Sequence, residues 1–345
     1  MDKIYIAPDF SARSGVSAYA RNFYEHVLKP DGFESQHFAS LAEFEEWQRG
    51  RGRDQRFHLE IAVGTHSERS ILWALLDRGA TVDVTLHDPP FIAFPYYRSS
   101  NRWLNQASKL AQISLPQRHF GLTKVRRIRR VFALSHAGCA RTLAVYPGAV
   151  VRPLPFICVR RPLPVPCEAQ GLVYTGFIGK KKGLEYALQV HQALLAEFPD
   201  LVFKVVGEPV DQITGAYFKG LQQRYRQQVE YLGYVDDETF TRLLGAGHVV
   251  MLPTRDYGTI CPVSANILNA LTLGSLVVST AANANAEFIE DGVNGRILRN
   301  VLTEDTAMIA ALLRDPAMRS RMIAEAQGRL ARENSAQRVR EALTA

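Results

Sequence analysis

The sequence predicts an α/β protein of two doubly wound parallel-sheet domains. Three observations lead there. Apolar, strand-like runs alternate with helical patterns along nearly the whole chain. A proline-rich stretch near the middle interrupts the alternation once, and the pattern then restarts. The chain has 345 residues, 47% hydrophobic and 22% charged, a globular composition at a length suited to about two domains.

The first half opens with the strand "KIYIAP", the loop "DFSARSGVS" and the helix "AYARNFYEHVL". The strand "FHLEIAVG", the helix "SERSILWALLDRG" and the strand "TVDVTLHD" follow, and later the strand "RRVFALS" and the helix "AGCARTLAVY". Near-continuous apolar strands separated by helices imply parallel sheets covered on both faces. "VVRPLPFICVRRPLPVPCEAQ" holds five prolines and no helical period, which reads as an extended connection. The second half repeats the alternation. Its strands are "GLVYTGF", "LVFKVVG", "VEYLGY", "HVVMLPT" and "LVVST", with helices over 183–198, near 213–228, in "DETFTRLLGAG" and over 264–273. From Thr303 the tail is helical, broken at Asp315-Pro316 because proline suits a helix start and not its interior. The expected domains are 1–155, a proline-rich linker over 156–170, a second domain over 171–320, and C-terminal helices over 321–345 that cross back toward the first. Two such domains would face a cleft, with ligand-binding residues just past the carboxyl ends of strands.

Charge is unevenly spread. The net charge is +7; residues 1–158 hold 21 Lys/Arg against 14 Asp/Glu, and residues 159–345 hold 20 against 20. No Asp or Glu occurs between Asp88 and Glu168, an interval with 13 basic residues. Such a field suits an anionic partner, whether a membrane surface or a phosphorylated acceptor; a solvated basic face is the plainer alternative. No apolar stretch is long enough to span a bilayer and no signal peptide is evident, so a cytoplasmic setting is expected, with peripheral attachment to the inner face of the cytoplasmic membrane. Cys139, Cys158, Cys167 and Cys261 are scattered, as free thiols in a reducing compartment would be.

Several chemistries are excluded by spacing. "GFIGKKKG" lacks the Ser or Thr that a Walker A loop needs after its lysine, and no GxGxxG follows the first strand. HExxH, short-spaced His/Cys clusters, a GxSxG elbow and a DxD triplet are all absent. No metal and no cofactor is expected. No helix-turn-helix, RRM or zinc finger accompanies the basic segment, so nucleic acid is not the expected partner.

Three longer segments carry a resemblance. "VYTGFIGKKKGLEYALQVHQALLAEFPDLVFKVVG", "VEYLGYVDDETFTRLLGAGHVVMLPT" and "NALTLGSLVVSTAANANAEFIEDGVNGRIL" together resemble the donor-binding domain of GT-B glycosyltransferases, in particular the GT4-type retaining family, glycosyl transferases group 1. The resemblance covers most of residues 170–300. It implies two Rossmann-like domains and transfer of a sugar from a nucleotide-diphosphate donor, which is a substrate and not a cofactor. By position, Gly176 matches the glycine ending the first strand of that domain, and Lys182 the lysine that contacts the donor diphosphate. A positive charge at a helix start adds to the helix dipole, which agrees. Lys180 and Lys181 are candidate helpers; three solvated lysines in a turn is the alternative. Ser264, Ala265 and Asn266 stand where the family's helix amides hold the pyrophosphate, although capping alone would also account for Ser264. Asn269 takes the place of a glutamate that grips the ribose. Phe177 replaces the family's arginine, and Asp256 is the acid nearest to its upstream glutamate.

The first half resembles the family less closely. Gly15 and Val16 match the core of a glycine-rich loop that opens a helix beside the donor phosphate. His87, after the strand "VTLH", is the candidate for touching the transferred sugar or the acceptor; with Lys182 it completes the predicted catalytic pair. Asp88 either orients His87 or caps the turn. His66 is a weaker candidate, and Ser135 and His136 mark a further strand end, with helix capping the plain role for Ser135. Arg98, Arg102, Arg126, Arg127 and Arg130 are the acceptor-side or membrane candidates. The function expected is transfer of a sugar to an anionic or lipid-linked glycan acceptor in cell-surface polysaccharide synthesis, such as lipopolysaccharide or capsule. The alternative is a non-catalytic homologue acting as a scaffold or sugar-nucleotide sensor, suggested by Phe177 and Asn269.

Overall fold

The computed structural model describes residues 2–12, 14–52, 54–93, 103, 121–159, 171–245 and 248–345. The chain divides into two compact units. The first comprises Met1–Ile157, Gly258–Val263 and Asn334–Ala345; the second comprises Cys158–Tyr257 and Ser264–Glu333.

In the first unit, β1 (Asp2–Ile6), β2 (Phe33–Gln36), β3 (Gln55–Ile61), β4 (Thr81–Leu86), β5 (Arg130–Ala133) and β6 (Val151–Pro153) form one sheet. Their order is β2-β1-β3-β4-β5-β6 and every pairing is parallel. Parallel neighbours need long crossovers, supplied here by helices. These include α1 (Gly15–Phe23), α2 (Leu41–Gln48), α3 (His66–Asp77) and α4 (His136–Val145). Ile4, Ile6, Leu59, Ile61, Val82, Val84 and Leu86 are essentially sealed from solvent among the buried side chains of these helices.

Three details depart from the sequence reading. The first helix begins at Gly15 and not at Ala18, because the Ser14 hydroxyl accepts the Ser17 amide at 3.0 Å and starts the helix early. Its end, Tyr24–Leu28, winds as a π-helix. β2 and α2 went unread: "FESQ" is a short strand with only Phe33 buried, so it shows no apolar run. Val151–Pro153, read as the start of the proline-rich connection, adds the edge strand of the sheet, a place where proline is tolerated.

The second unit contains β7 (Leu172–Thr175), α5 (Leu184–Leu194), β8 (Phe203–Val206), α6 (Gln212–Arg224), β9 (Val229–Gly233), α7 (Asp237–Gly245) and β10 (Val249–Leu252). Then come α8 (Ala265–Leu273), β11 (Leu276–Ser279), β12 (Arg296–Ile297), α9 (Leu302–Arg314) and α10 (Pro316–Glu333). The strand order is β12-β11-β10-β7-β8-β9, again all parallel. β7, β10 and β11 are buried at every position, and each enclosed Val or Leu contributes about 1.5–3 kcal/mol. Pro316 takes the first position of α10, where its missing N–H costs nothing, and the Asp315 carboxylate accepts the Met318 amide at 2.8 Å.

The final helix, α11 (Ala336–Thr344), belongs to the first unit, and Asn334 donates its side-chain amide to the Phe156 carbonyl at 2.8 Å. Among the described residues no helix is long and apolar enough to cross a membrane. In each sheet the strand order reverses at an inner pair, β1/β3 in the first and β7/β10 in the second. Open α/β sheets offer their ligand crevices at the carboxyl ends of such a pair.

Candidate functional site

In the second unit, the residues past β7 and β10 are held together by close backbone contacts. Gly176 has φ 122°, and a Cβ there would lie 2.4 Å from the side-chain nitrogen of Asn266. That nitrogen donates to the Thr175 carbonyl at 3.2 Å, so the first turn of α8 is pinned to the end of β7. Gly183 is left-handed at φ 79°, and a Cβ there would fall 2.0 Å from the Pro253 carbonyl oxygen. Only glycine fits both the conformation and the approach, which seats the start of α5 against the loop leaving β10.

The three lysines form a single 3₁₀ turn, Lys180–Lys182, yet their ammonium groups have different partners. Lys181 donates to the carbonyls of Asp256 and Tyr257, both at 3.0 Å, and so fixes the loop after β10. This is one of the ammonium groups that the sequence offers as a helper in holding the donor. Among the described residues Lys182 has no acidic partner, and its nitrogen lies 5.6 Å from the centre of the Tyr257 ring. Lys180 sits 5.8 Å from the centre of a different ring, Tyr217.

Ser264 occupies the N-cap position of α8, but its hydroxyl makes no capping hydrogen bond. The sequence left capping and ligand binding equally open for this serine; capping does not account for it. The amides of Ala265, Asn266 and Ile267 therefore remain able to donate at the positive end of the helix, an arrangement suited to an anion. Asn269, further along α8, is half-buried, and its side chain makes no hydrogen bond among the described residues. Phe177 is 50% exposed, an aromatic rim where the resemblance calls for an arginine.

The first unit assembles a different kind of site. His87 follows β4, is nearly buried, and shares a 2.7 Å hydrogen bond between its Nε2 and the Glu60 carboxylate. The other oxygen of Glu60 accepts from the Tyr5 hydroxyl at 2.7 Å. The Tyr19 ring meets His87 edge-on at 5.0 Å, and its hydroxyl is buried without a partner. Burial, with the Glu60 charge second, pushes the Tyr5 and Tyr19 phenols well above their ordinary range. Both hydroxyls therefore keep their protons. Asp88, offered as an orienter of His87, instead accepts the Val63 amide at 2.8 Å; Glu60 holds the histidine. Glu60 was missed, although one signal existed: it is the single acid inside the apolar run "FHLEIAV".

The remaining candidates lie apart from this cluster. Gly15 and Val16 form the first turn of α1 behind the Ser14 cap. His66 starts α3 and is exposed, as is His136 at the start of α4. Ser135 caps α4, accepting the Gly138 amide at 2.9 Å. Among the described residues of the basic run, Lys124, Arg126, Arg127, Arg129 and Arg130 have partners within the fold. Arg126 donates twice to the Pro147 carbonyl. Arg127 and Lys124 both engage Asp77, at 3.2 and 3.3 Å. Arg56, Arg129 and Arg130 converge on the buried carboxylate of Asp83. The acids are supplied from upstream in the sequence, so a count of charges along the segment could not show the pairing. Arg98 and Arg102 lie outside the described residues.

Comparison with known proteins follows the same division. Residues 169–315 match the family described as glycosyl transferases group 1. An alpha-D-kanosaminyltransferase of Streptomyces kanamyceticus is 28% identical over 159 residues, 44% of this chain, and the match spans only 38% of that relative's length. Among solved structures, sucrose-phosphate synthase from Thermosynechococcus elongatus superposes with a TM-score of 0.76 at 16% identity, covering 100% of this chain and 97% of the other. The Anabaena protein HepE in complex with UDP-glucose gives 0.68 at 14% identity, covering 100% and 98%. The chain thus has the GT-B fold of two doubly wound parallel sheets, and it is similar to the group 1 glycosyl transferases over residues 169–315.

Proposed function

We propose that the chain moves a sugar from a nucleoside-diphosphate donor to a glycan acceptor, with retention at the anomeric carbon, in cell-surface polysaccharide synthesis. The observation that carries the donor half is the uncapped first turn of α8, pinned to the end of β7 by Asn266 in the unit that also holds Lys182. As the bond to the sugar breaks, negative charge builds on the departing diphosphate. Amides and an ammonium already in place stabilise that charge without reorganising. Each charge-assisted hydrogen bond contributes about 1.5–3 kcal/mol. We assign this work to Lys182 and the helix amides, with no metal, because the sequence has no DxD triplet. Complexes of a neighbour of the same fold with UDP and with UDP-glucose support a nucleotide-sugar donor.

His87, oriented by Glu60, is the proposed contact for the sugar or acceptor in the first unit. The pairing of Arg126, Arg127 and Arg130 weakens the case for an anionic or lipid-linked acceptor and for peripheral attachment to the cytoplasmic membrane. That part now rests on Arg98, Arg102 and their neighbours. Flotation with anionic vesicles tests it, and binding insensitive to salt or absent altogether removes the membrane part.

The donor half is tested by thermal shift with nucleoside diphosphates and nucleotide sugars. A bound ligand raises the melting temperature by mass action. The shift should vanish in Lys182→Ala, and an equal shift in that variant overturns the assignment. A sugar-nucleotide sensor is the second reading, favoured by exposed Phe177 and by Asn269 in place of a glutamate. It predicts the same shift with neither donor hydrolysis nor transfer.

A further inference from the structure

A cavity in the second unit lies between the 3₁₀ turn, α5 and α6. Its volume is about 380 Å³, within the range of small-molecule sites, and Lys180, Glu185, Tyr217, Arg224 and Arg255 supply most of its polar wall. None of Lys182, Ser264, Asn266 or Asn269 lines it, so it is separate from the proposed donor site and does not depend on that reading.

The wall carries three cations and one acid. Arg224 is paired with Glu185 at 3.0 Å. Among the described residues, Lys180 and Arg255 have no acidic partner, and the Lys180 ammonium lies 5.8 Å from the centre of the Tyr217 ring. The net charge of the lining is therefore +2, from one ammonium and one guanidinium with no side-chain hydrogen bond among the described residues. Ala216 and Gly220 leave open the space between the larger side chains. On the other wall, Glu185 and the phenols offer acceptors and donors to hydroxyl groups.

We propose that this cavity binds a small phosphorylated sugar or polyol, with Lys180 and Arg255 holding the phosphate and the Glu185–Tyr217 wall facing the hydroxyls. A phosphate monoester carries about two negative charges near neutral pH, which matches the two unpaired cations. Arg255 and Lys180 both adjoin Lys181, whose ammonium fixes the loop 255–257. Occupancy of the cavity would thus stiffen the same turn that carries Lys182.

Calorimetric titration of the full chain with glucose 6-phosphate, in saturating UDP, tests this. Saturable binding is expected, with inorganic phosphate at least about tenfold weaker because it lacks the hydroxyl contacts. The double variant Lys180→Ala/Arg255→Ala, altering two exposed side chains, should weaken glucose 6-phosphate by about tenfold or more, whereas Lys182→Ala should leave it unchanged. No binding overturns the proposal. So does displacement by UDP or loss in Lys182→Ala, either of which would move the ligand to the donor site, and so does full affinity in the double variant. Equal affinity for inorganic phosphate would overturn the sugar part. A lost UDP shift with intact glucose 6-phosphate binding would count against the donor reading alone.

Discussion

In the first unit, β3 and β4 bury His58, Glu60, Asp83 and Thr85 within the sheet; in the second, β7, β10 and β11 bury no Asp, Glu, Lys, Arg or His. The first unit builds its polar cluster from strand side chains that pair across the fold: Glu60 with Tyr5 and His87, His58 with Thr85 at 2.7 Å, Asp83 with three arginines. The second keeps its central strands apolar and places its polar groups on the loops and helix starts beyond them. Chemistry built on loop backbone demands glycines and leaves a motif. Chemistry built on paired strand residues leaves only isolated polar letters in apolar runs.

Substitutions at five positions would break or sharpen this contrast. Gly183→Ala should have the largest effect, because its Cβ meets the Pro253 carbonyl at 2.0 Å and the backbone is left-handed. A loss on the order of 3 kcal/mol or more is expected in denaturant unfolding. A neutral result would show that the loop after β10 is not held as described. Glu60→Ala should follow, at roughly 2–4 kcal/mol, since it leaves the buried Tyr5 hydroxyl with only the long 3.5 Å contact to the Ala20 carbonyl and takes the Glu60 partner from His87 Nε2. Glu60→Gln, which keeps an acceptor for Tyr5, should recover part of that stability. No difference between the two variants would argue against the shared carboxylate.

Asp83 gives a pH signature. Burial pushes its carboxyl up, but the hydrogen bond from Arg129, the neighbouring His58 and Arg129 charges and the Arg56 hydrogen bond outweigh burial and hold it below its ordinary value. A depressed folded pKa means that its contribution is complete above the unfolded value of about 3.9 and is lost as pH falls through the lower folded value. Wild type should therefore lose stability below about pH 4 more steeply than Asp83→Asn. Parallel acid profiles would contradict this. The smallest effects come from the serines. Ser135→Ala should cost about 1 kcal/mol, because its hydroxyl caps α4, whereas Ser264→Ala should cost close to nothing, because its hydroxyl caps nothing. Equal costs would remove the distinction between a capped and an open helix end.

The legibility of each unit follows from this difference. In the second unit, the strand–glycine–lysine–helix order around Gly176 and Lys182, and the helix after Ser264, were readable because their roles depend on local spacing. The separate fates of Lys180, Lys181 and Lys182 were not, since they depend on Tyr217 and on the carbonyls of Asp256 and Tyr257, which come from other parts of the chain. In the first unit His87 could be proposed from its place after a strand, but Glu60 reaches it only through the pairing of β3 with β4. Short, half-exposed β2 escaped notice because too few of its residues are buried to mark a period.

By itself the sequence determined the alternation of buried strands and helices, the two parallel sheets and the family resemblance of the second half, because apolar periodicity and glycine-dependent turns are written locally. The tertiary structure alone decided which charges are spent. Asp77 and Asp83 pair with arginines that lie some fifty residues downstream, and Lys181 is tethered while Lys182 has no acidic partner among the described residues. A charge acts over a few ångströms, and folding sets those distances without regard to separation along the chain.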